Sequence, residues 1–309
     1  MFTDTAAPLL LLKLFKPNQH GIDRGIPALS HTVTTDSLGY RGTSFPRVKP
    51  GSEVRIFFTG DSFTYGAFVD DSLTVPARLE QQLRAQCPGV RVINAGLGGS
   101  TISEQSEMVQ RGLALDPDIV VLMFYDNDIT DLAGPRMWQL LQENRRRKSR
   151  FPVSLVYNVL NHTALWSLFL KARELRVQGD GAAAQAVAPD TAATLGHRAE
   201  YLERLHAVAD TLAGRGIPLV FAVMASHRVM DGSSPDEQVR WVLRGADSLG
   251  LVTADAVTVL QRSGLGTTEL FLLPHDGHAS PVANAMIASA IRAALTELPL
   301  VRTRCHSPG

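Results

Sequence analysis

The chain has 309 residues, 45% hydrophobic and 19% charged, with 30 Lys and Arg against 30 Asp and Glu. That length supports one large domain or two small ones, with an ample core. Zero formal net charge leaves no general attraction for nucleic acid, no basic recognition motif is present, and no apolar run is long enough to span a bilayer.

Residues 1–50 carry Pro, Gly and His with little periodicity and read as a loop-rich arm wrapped on the core. The apolar run at 6–15 is interrupted by Lys13 and lacks a basic stretch before it and a small-residue cleavage site behind it. It is therefore expected to pack on the domain surface rather than to act as a secretory leader, with membrane contact as the lesser alternative. The domain proper is expected over 51–298. Val54–Thr59 (VRIFFT) is the first predicted strand, and Leu73–Leu83 after it has apolar residues at helical spacing. Val90–Ile93, Ile119–Phe124 and Ile217–Met224 are the next predicted strands, with a weaker fifth near Leu249–Thr253. Each is too short for a buried helix and rich in β-branched or aromatic residues. Glu200–Ala213 reads as a helix ending at Gly214, and a final helix, Pro281–Leu295, opens on proline.

The rhythm breaks between Gly134 and Gly196. This insertion holds the basic run 145–150, an amphipathic stretch Val153–Leu170, and an alanine-rich piece 181–194 that reads as a linker. It is expected to be core packing or a lid over a site, and the basic run a solvated face. Residues 299–309 are expected to be a flexible tail, the two cysteines, Cys87 and Cys305, to form no disulfide framework, and cytoplasm is the default location.

Strands alternating with helices predict a doubly wound α/β fold of flavodoxin-like type, a parallel sheet in a three-layer α/β/α sandwich. Ligands in such sheets bind at the carboxyl ends of the strands. The polar clusters fall there: Gly60-Asp61-Ser62, Asn94-Ala95-Gly96 and Asp126-Asn127-Asp128. Ser62, between a strand and a helix, reads either as a helix cap or as a nucleophile near backbone N–H groups that favour anions. A nucleophile needs a base and an orienting acid, and Asp276 and His278, in the loop before the last helix, provide a candidate pair.

The segment Asp126-Asn127-Asp128-Ile129-Thr130 supports two readings. As D-x-D-x-T it resembles the nucleophile motif of haloacid-dehalogenase-type phosphatases, but no later lysine and acidic pair for magnesium follows in order. Through Asn127 it reads as an oxyanion-binding segment. The order of Gly60-Asp61-Ser62, Asn94 to Gly99, Asn127-Asp128 and Asp276-Gly277-His278 resembles the SGNH (GDSL-type) hydrolase family, and Gly39-Tyr40-Arg41-Gly42 is similar to a bacterial branch of it.

That resemblance implies an esterase with Ser62 as nucleophile, His278 as base and Asp276 as its orienting acid. It also implies an oxyanion hole from the N–H groups of Ser62 and Gly99 and the side-chain amide of Asn127. It implies no metal or organic cofactor, and a small-molecule, glycan or lipid acyl ester as partner. Transfer of the acyl group to an alcohol, by the same residues, is the nearest alternative; a non-catalytic binding module is another. Two positions depart from the family pattern. The acid is usually three residues before the histidine, where this chain has His275, and Asp126 occupies a usually small position. A carboxylate there would repel developing negative charge unless it points away or is paired, and it is expected to point away.

Overall fold

The computed structural model of the protein describes residues 15–132 and 192–305. Two short strands, β1 (His20–Asp23) and β2 (His31–Thr34), form an antiparallel hairpin in the arm, an element that the sequence pattern does not announce. The main sheet contains β3 (Val54–Gly60), β4 (Val90–Asn94), β5 (Ile119–Phe124), β6 (Leu219–Val223) and β7 (Val252–Asp255). They run parallel in the order β4-β3-β5-β6-β7. The expected doubly wound sheet is therefore present. The last strand starts three residues later than the sequence suggests, because Leu249 to Leu251 close the preceding helix in a turn.

Alternation along the strands sends side chains into two separate cores. Val54, Ile56 and Phe58 of β3, with Ile119, Val121 and Met123 of β5, pack against α2 (Val75–Arg84) and the long helix Pro281–Thr296. Phe57, Val120, Leu122 and Phe124 point the other way, toward α3 (Ile102–Gly112) and the helices Ala192–Ala213 and Glu237–Ser248. Every residue of β3 and β5 is buried, as strands covered on both faces should be. The order reverses around β3, since β4 lies on one side and β5 on the other. That is the switch point where doubly wound sheets open a crevice.

The arm is bolted to this frame. Arg41 makes a backbone bridge with Asn94 at the outer edge of β4, which covers part of an otherwise unpaired sheet edge. Its guanidinium is buried, pairs with Asp71 at 2.9 Å and donates to the carbonyls of Tyr65, Gly66 and Val69.

Two expectations about the C-terminus are corrected. Residues Pro299–Cys305 are helical, with Val301 buried, where a flexible tail was expected. Cys87 and Cys305 are joined in a disulfide across 218 residues, where no pairing was expected. Sequence separation hid the pair: Cys87, just after α2, and the end of the last helix meet only because α2 packs against Pro281–Thr296. No helix among the described residues is long and apolar enough to cross a membrane. The basic run 145–150 and the amphipathic stretch Val153–Leu170, expected to be a solvated face and either core packing or a lid, lie outside the described residues.

Candidate active site

β3 ends at Gly60, and the chain turns at once into a single helical turn, α1 (Ser62–Tyr65). Asp61 caps that turn, its Oδ1 accepting the Phe63 N–H at 2.8 Å. The cap that the sequence offers at this point is thus Asp61, which leaves the Ser62 hydroxyl uncommitted to capping. Because α1 is one turn long, its macrodipole is small, and the local N–H groups matter more than a field along the helix.

The segment after β4 is pulled against this corner. Leu97 N–H donates to Gly60 O at 3.0 Å, and Ser100 Oγ donates to the same carbonyl at 3.1 Å. Gly96 is there because nothing larger fits: a Cβ would lie 2.1 Å from Tyr65 N. Gly99 adopts φ +68°, the left-handed region that glycine enters without penalty. A Cβ on Gly98 would lie 3.8 Å from the Ser62 Cβ, so this turn runs beside the serine.

The loop before the helix Pro281–Thr296 supplies the imidazole. Ser62 Oγ lies 2.8 Å from His278 Nε2, and Asp276 Oδ1 is hydrogen-bonded to His278 Nδ1. The same carboxylate oxygen accepts the His278 backbone N–H at 2.8 Å. With Nδ1 donating to the carboxylate, Nε2 is left as the acceptor for the serine hydroxyl. Three residues from two chain regions more than two hundred positions apart form one continuous hydrogen-bonded line. His275, at the family's usual acid position, is exposed instead.

Asn127 stands at the N-terminal cap position of the short helix α4 (Asp128–Asp131) beyond β5, without a side-chain capping bond. Its Nδ2 donates to Asp131 Oδ2 at 2.9 Å, which leaves the second amide hydrogen uncommitted, and its Oδ1 is buried without a partner. Asp126 is turned toward β6's exit and accepts from Ser226 Oγ at 2.7 Å and Ser226 N at 3.2 Å. Its carboxylate was expected to point away from the oxyanion site, and it is held by these two bonds from Ser226. Asp128 is buried and accepts from Gln105 Nε2 at 3.3 Å.

The carboxyl groups around the serine share an electrostatic bias. Burial pushes Asp61 up to about 6, although its bond from Phe63 and the nearby His278 oppose the shift. Burial, reinforced by Asp61, pushes Asp128 well above the usual carboxylate range. Burial also raises Asp126 and Asp131. Groups biased toward their neutral form oppose a developing negative charge less than ionised ones would. A shelf of aromatic rings completes the wall: Tyr125 stacks on Phe63 at 4.0 Å, and Phe63 and Phe68 lie 4.8 and 5.5 Å from the His278 ring.

The chain matches the GDSL-like lipase/acylhydrolase family over residues 58–269. It belongs to that family. The match takes in Ser62, Gly99 and Asn127 and stops short of Asp276 and His278, so for those two only the tertiary contacts speak. No curated protein matches this GDSL-like chain at a significant level. Among solved structures, LAE5, an alpha/beta hydrolase enzyme from the metagenome of Lake Arreo in Spain, is 16% identical with a TM-score of 0.50. The alignment covers 85% of this chain and 99% of that one. Axe2, an acetylxylan esterase from Geobacillus stearothermophilus, is 18% identical, covering 80% and 96% with a TM-score of 0.48. TesA is 15% identical, covering 79% and 98% with a TM-score of 0.49. At these identities the likeness is one of fold.

Sequence reasoning missed several parts of the GDSL-like site. Asp131 as the partner of Asn127 and Ser226 as the brace for Asp126 left no motif. Phe68, held at φ +64°, carries no sequence signal either, since that conformation favours glycine. A cleft of 460 Å³ between the arm and α2, lined by Arg41, Glu80 and Arg91 among others, is not lined by Ser62, Asp276 or His278.

Proposed function

We propose that this GDSL-like hydrolase cleaves a small or short-chain acyl ester through an acyl-serine intermediate. The observation that carries the reading is the 2.8 Å contact between Ser62 Oγ and His278 Nε2, with Asp276 on the far ring nitrogen. Ser62 Oγ attacks the carbonyl carbon while His278 Nε2 takes its proton. Asp276 holds the ring in the tautomer that leaves Nε2 able to do so, and stabilises the imidazolium that forms. The negative charge on the carbonyl oxygen is met by the N–H groups of Ser62 and Gly99 and the free amide hydrogen of Asn127. Each such donor is worth roughly 3–4 kcal/mol in related hydrolases, because it is oriented before the charge appears.

His278 then returns the proton to the departing alcohol oxygen, and the carbon–oxygen bond breaks. Water repeats the sequence on the acyl-serine, and the carboxylic acid leaves. Nothing in this route calls for a metal or an organic cofactor. The ester is a small molecule or an acylated glycan or lipid; the acyl group and the alcohol are set by walls beyond the triad.

The test is mass spectrometry of the intact protein after brief exposure to mixed acetate and butyrate esters. An acyl adduct on parent protein that is absent from Ser62→Ala, together with loss of ester hydrolysis in that variant, is the expected result. A Ser62→Ala protein that hydrolyses esters as fast as the parent overturns the reading. Partition of the acyl-enzyme mainly to added alcohol rather than water would make the same residues those of an O-acyltransferase.

A further inference from the structure

Phe68 stands in a conformation that its residue type resists. Its φ of +64° lies in the left-handed region, which a bulky side chain resists. Such a residue persists only where its surroundings over-determine it, and the chain on both sides of Phe68 is clamped by the arm. The Arg41 guanidinium donates to the carbonyls of Tyr65 at 2.9 Å and Gly66 at 2.5 Å on one side, and Val69 at 2.6 Å on the other. Asp70 accepts from Thr32 N at 2.7 Å and Thr32 Oγ1 at 2.5 Å, which ties the same loop to β2. His31 of that strand meets the Phe68 ring edge-on at 6.0 Å.

What this clamping achieves is the placement of one ring. The Phe68 ring sits 5.5 Å from the His278 ring at a steep angle, and it is only partly buried, unlike Phe63. The chemistry of the imidazole says which half of a substrate such a ring would meet. His278 Nε2 must reach the oxygen of the departing alcohol, whereas the carbonyl oxygen turns toward Gly99 and Asn127. A wall against the imidazole therefore borders the alcohol side of the ester rather than its acyl side.

We propose that Phe68 is a specificity-determining residue for the leaving alcohol, favouring esters whose alcohol presents a flat or C–H-rich ring, aryl or saturated, to its exposed face. The inference rests on the acyl-serine reading above. An aromatic face against such a ring is worth about a twofold to twelvefold preference, the range of ring–ring contacts in proteins. The arm, through Arg41 and Thr32, is then what holds the selective wall in place, and the left-handed φ is the strain that this placement requires.

The experiment compares kcat/KM for phenyl, cyclohexyl and ethyl acetate, which share an acyl group, and for ethyl acetate and ethyl butyrate, which share an alcohol. In Phe68→Gly, whose residue type suits the backbone, the ring-to-ethyl ratio should fall at least twofold from the parent value. The butyrate-to-acetate ratio should move less than twofold. Phe68→Leu, which keeps apolar bulk without a flat face, should lower the first ratio in the same direction and serves if the glycine variant does not fold. An unchanged ring-to-ethyl ratio, or an equal fall for all four esters, overturns the proposal while leaving Ser62 as nucleophile. Full activity in Ser62→Ala overturns the underlying reading, and this one with it.

Discussion

Asp276 and His278 are two positions apart, and one carboxylate oxygen of Asp276 receives both the backbone N–H and the ring Nδ1 of His278. The tight D-G-H turn thus brings the carboxylate onto the ring at a two-residue spacing. A Cβ at Gly277 would lie 3.4 Å from the His227 ring, an ordinary contact, so the turn does not depend on glycine for space. On the proposed reading the acid of the triad is Asp276, and the exposed His275 takes no part. Asp276→Asn should lower kcat by roughly 10²–10⁴-fold with little change in KM, since the amide favours the wrong tautomer. His275→Ala should change kcat less than threefold. Steady-state kinetics on an acetate ester decides, and the reverse ranking would move the acid to another group.

Asn127→Ala should lower kcat by about 10²–10³-fold at nearly constant KM, as expected for a donor whose bond strengthens only in the transition state. Asp131 holds this amide at 2.9 Å, so the side chain is oriented before substrate arrives. A rise in KM at unchanged kcat would instead make Asn127 a ground-state contact.

Asp61 connects the site to stability. Its folded value, pushed up to about 6 by burial, exceeds the 3.8 of an unburied aspartate. The folded protein therefore holds this proton more tightly than the unfolded chain. The corresponding stabilisation is complete below about pH 4 and is lost as pH rises to about 6, an effect of up to about 3 kcal/mol. Asp61→Asn keeps an oxygen to accept the Phe63 N–H but cannot ionise. Urea unfolding from pH 4 to pH 8 should show parent stability falling relative to the variant over that window. Parallel curves would mean that Asp61 ionises in both states alike.

The Cys87–Cys305 bond closes the end of the last helix onto α2. Cys305→Ser, or reduction of the parent, should cost about 2–4 kcal/mol of stability and expose the segment 299–305 to proteolysis. Thiol titration of the denatured, unreduced protein should find no free cysteine. Such bonds are commoner in oxidising compartments than in the cytoplasm. Two titratable thiols in freshly isolated protein would mean that the bond does not form.

Much of this protein was legible in the sequence because the signals were local. Short β-branched runs such as Ile119–Phe124 can be buried only as strands, and their alternation with helices leaves few topologies other than a doubly wound sheet. Ser62, Gly99 and Asn127 were legible for a related reason: they stand where strands end, and their types match a known set of blocks. The hairpin of the arm, the Cys87–Cys305 pair, the Asp126–Ser226 brace and the placement of Phe68 were not legible. Each depends on contacts between segments distant in the chain, and residue type alone does not say which partner a cysteine, an aspartate or a ring will meet.

The order of the strands was therefore written in the chain, while the chemistry at their ends waited on the fold. Periodicity reports which face of a segment avoids water, and that is enough to stack layers. Whether an imidazole stands within hydrogen-bonding reach of a hydroxyl 216 residues away depends on packing that no local pattern encodes.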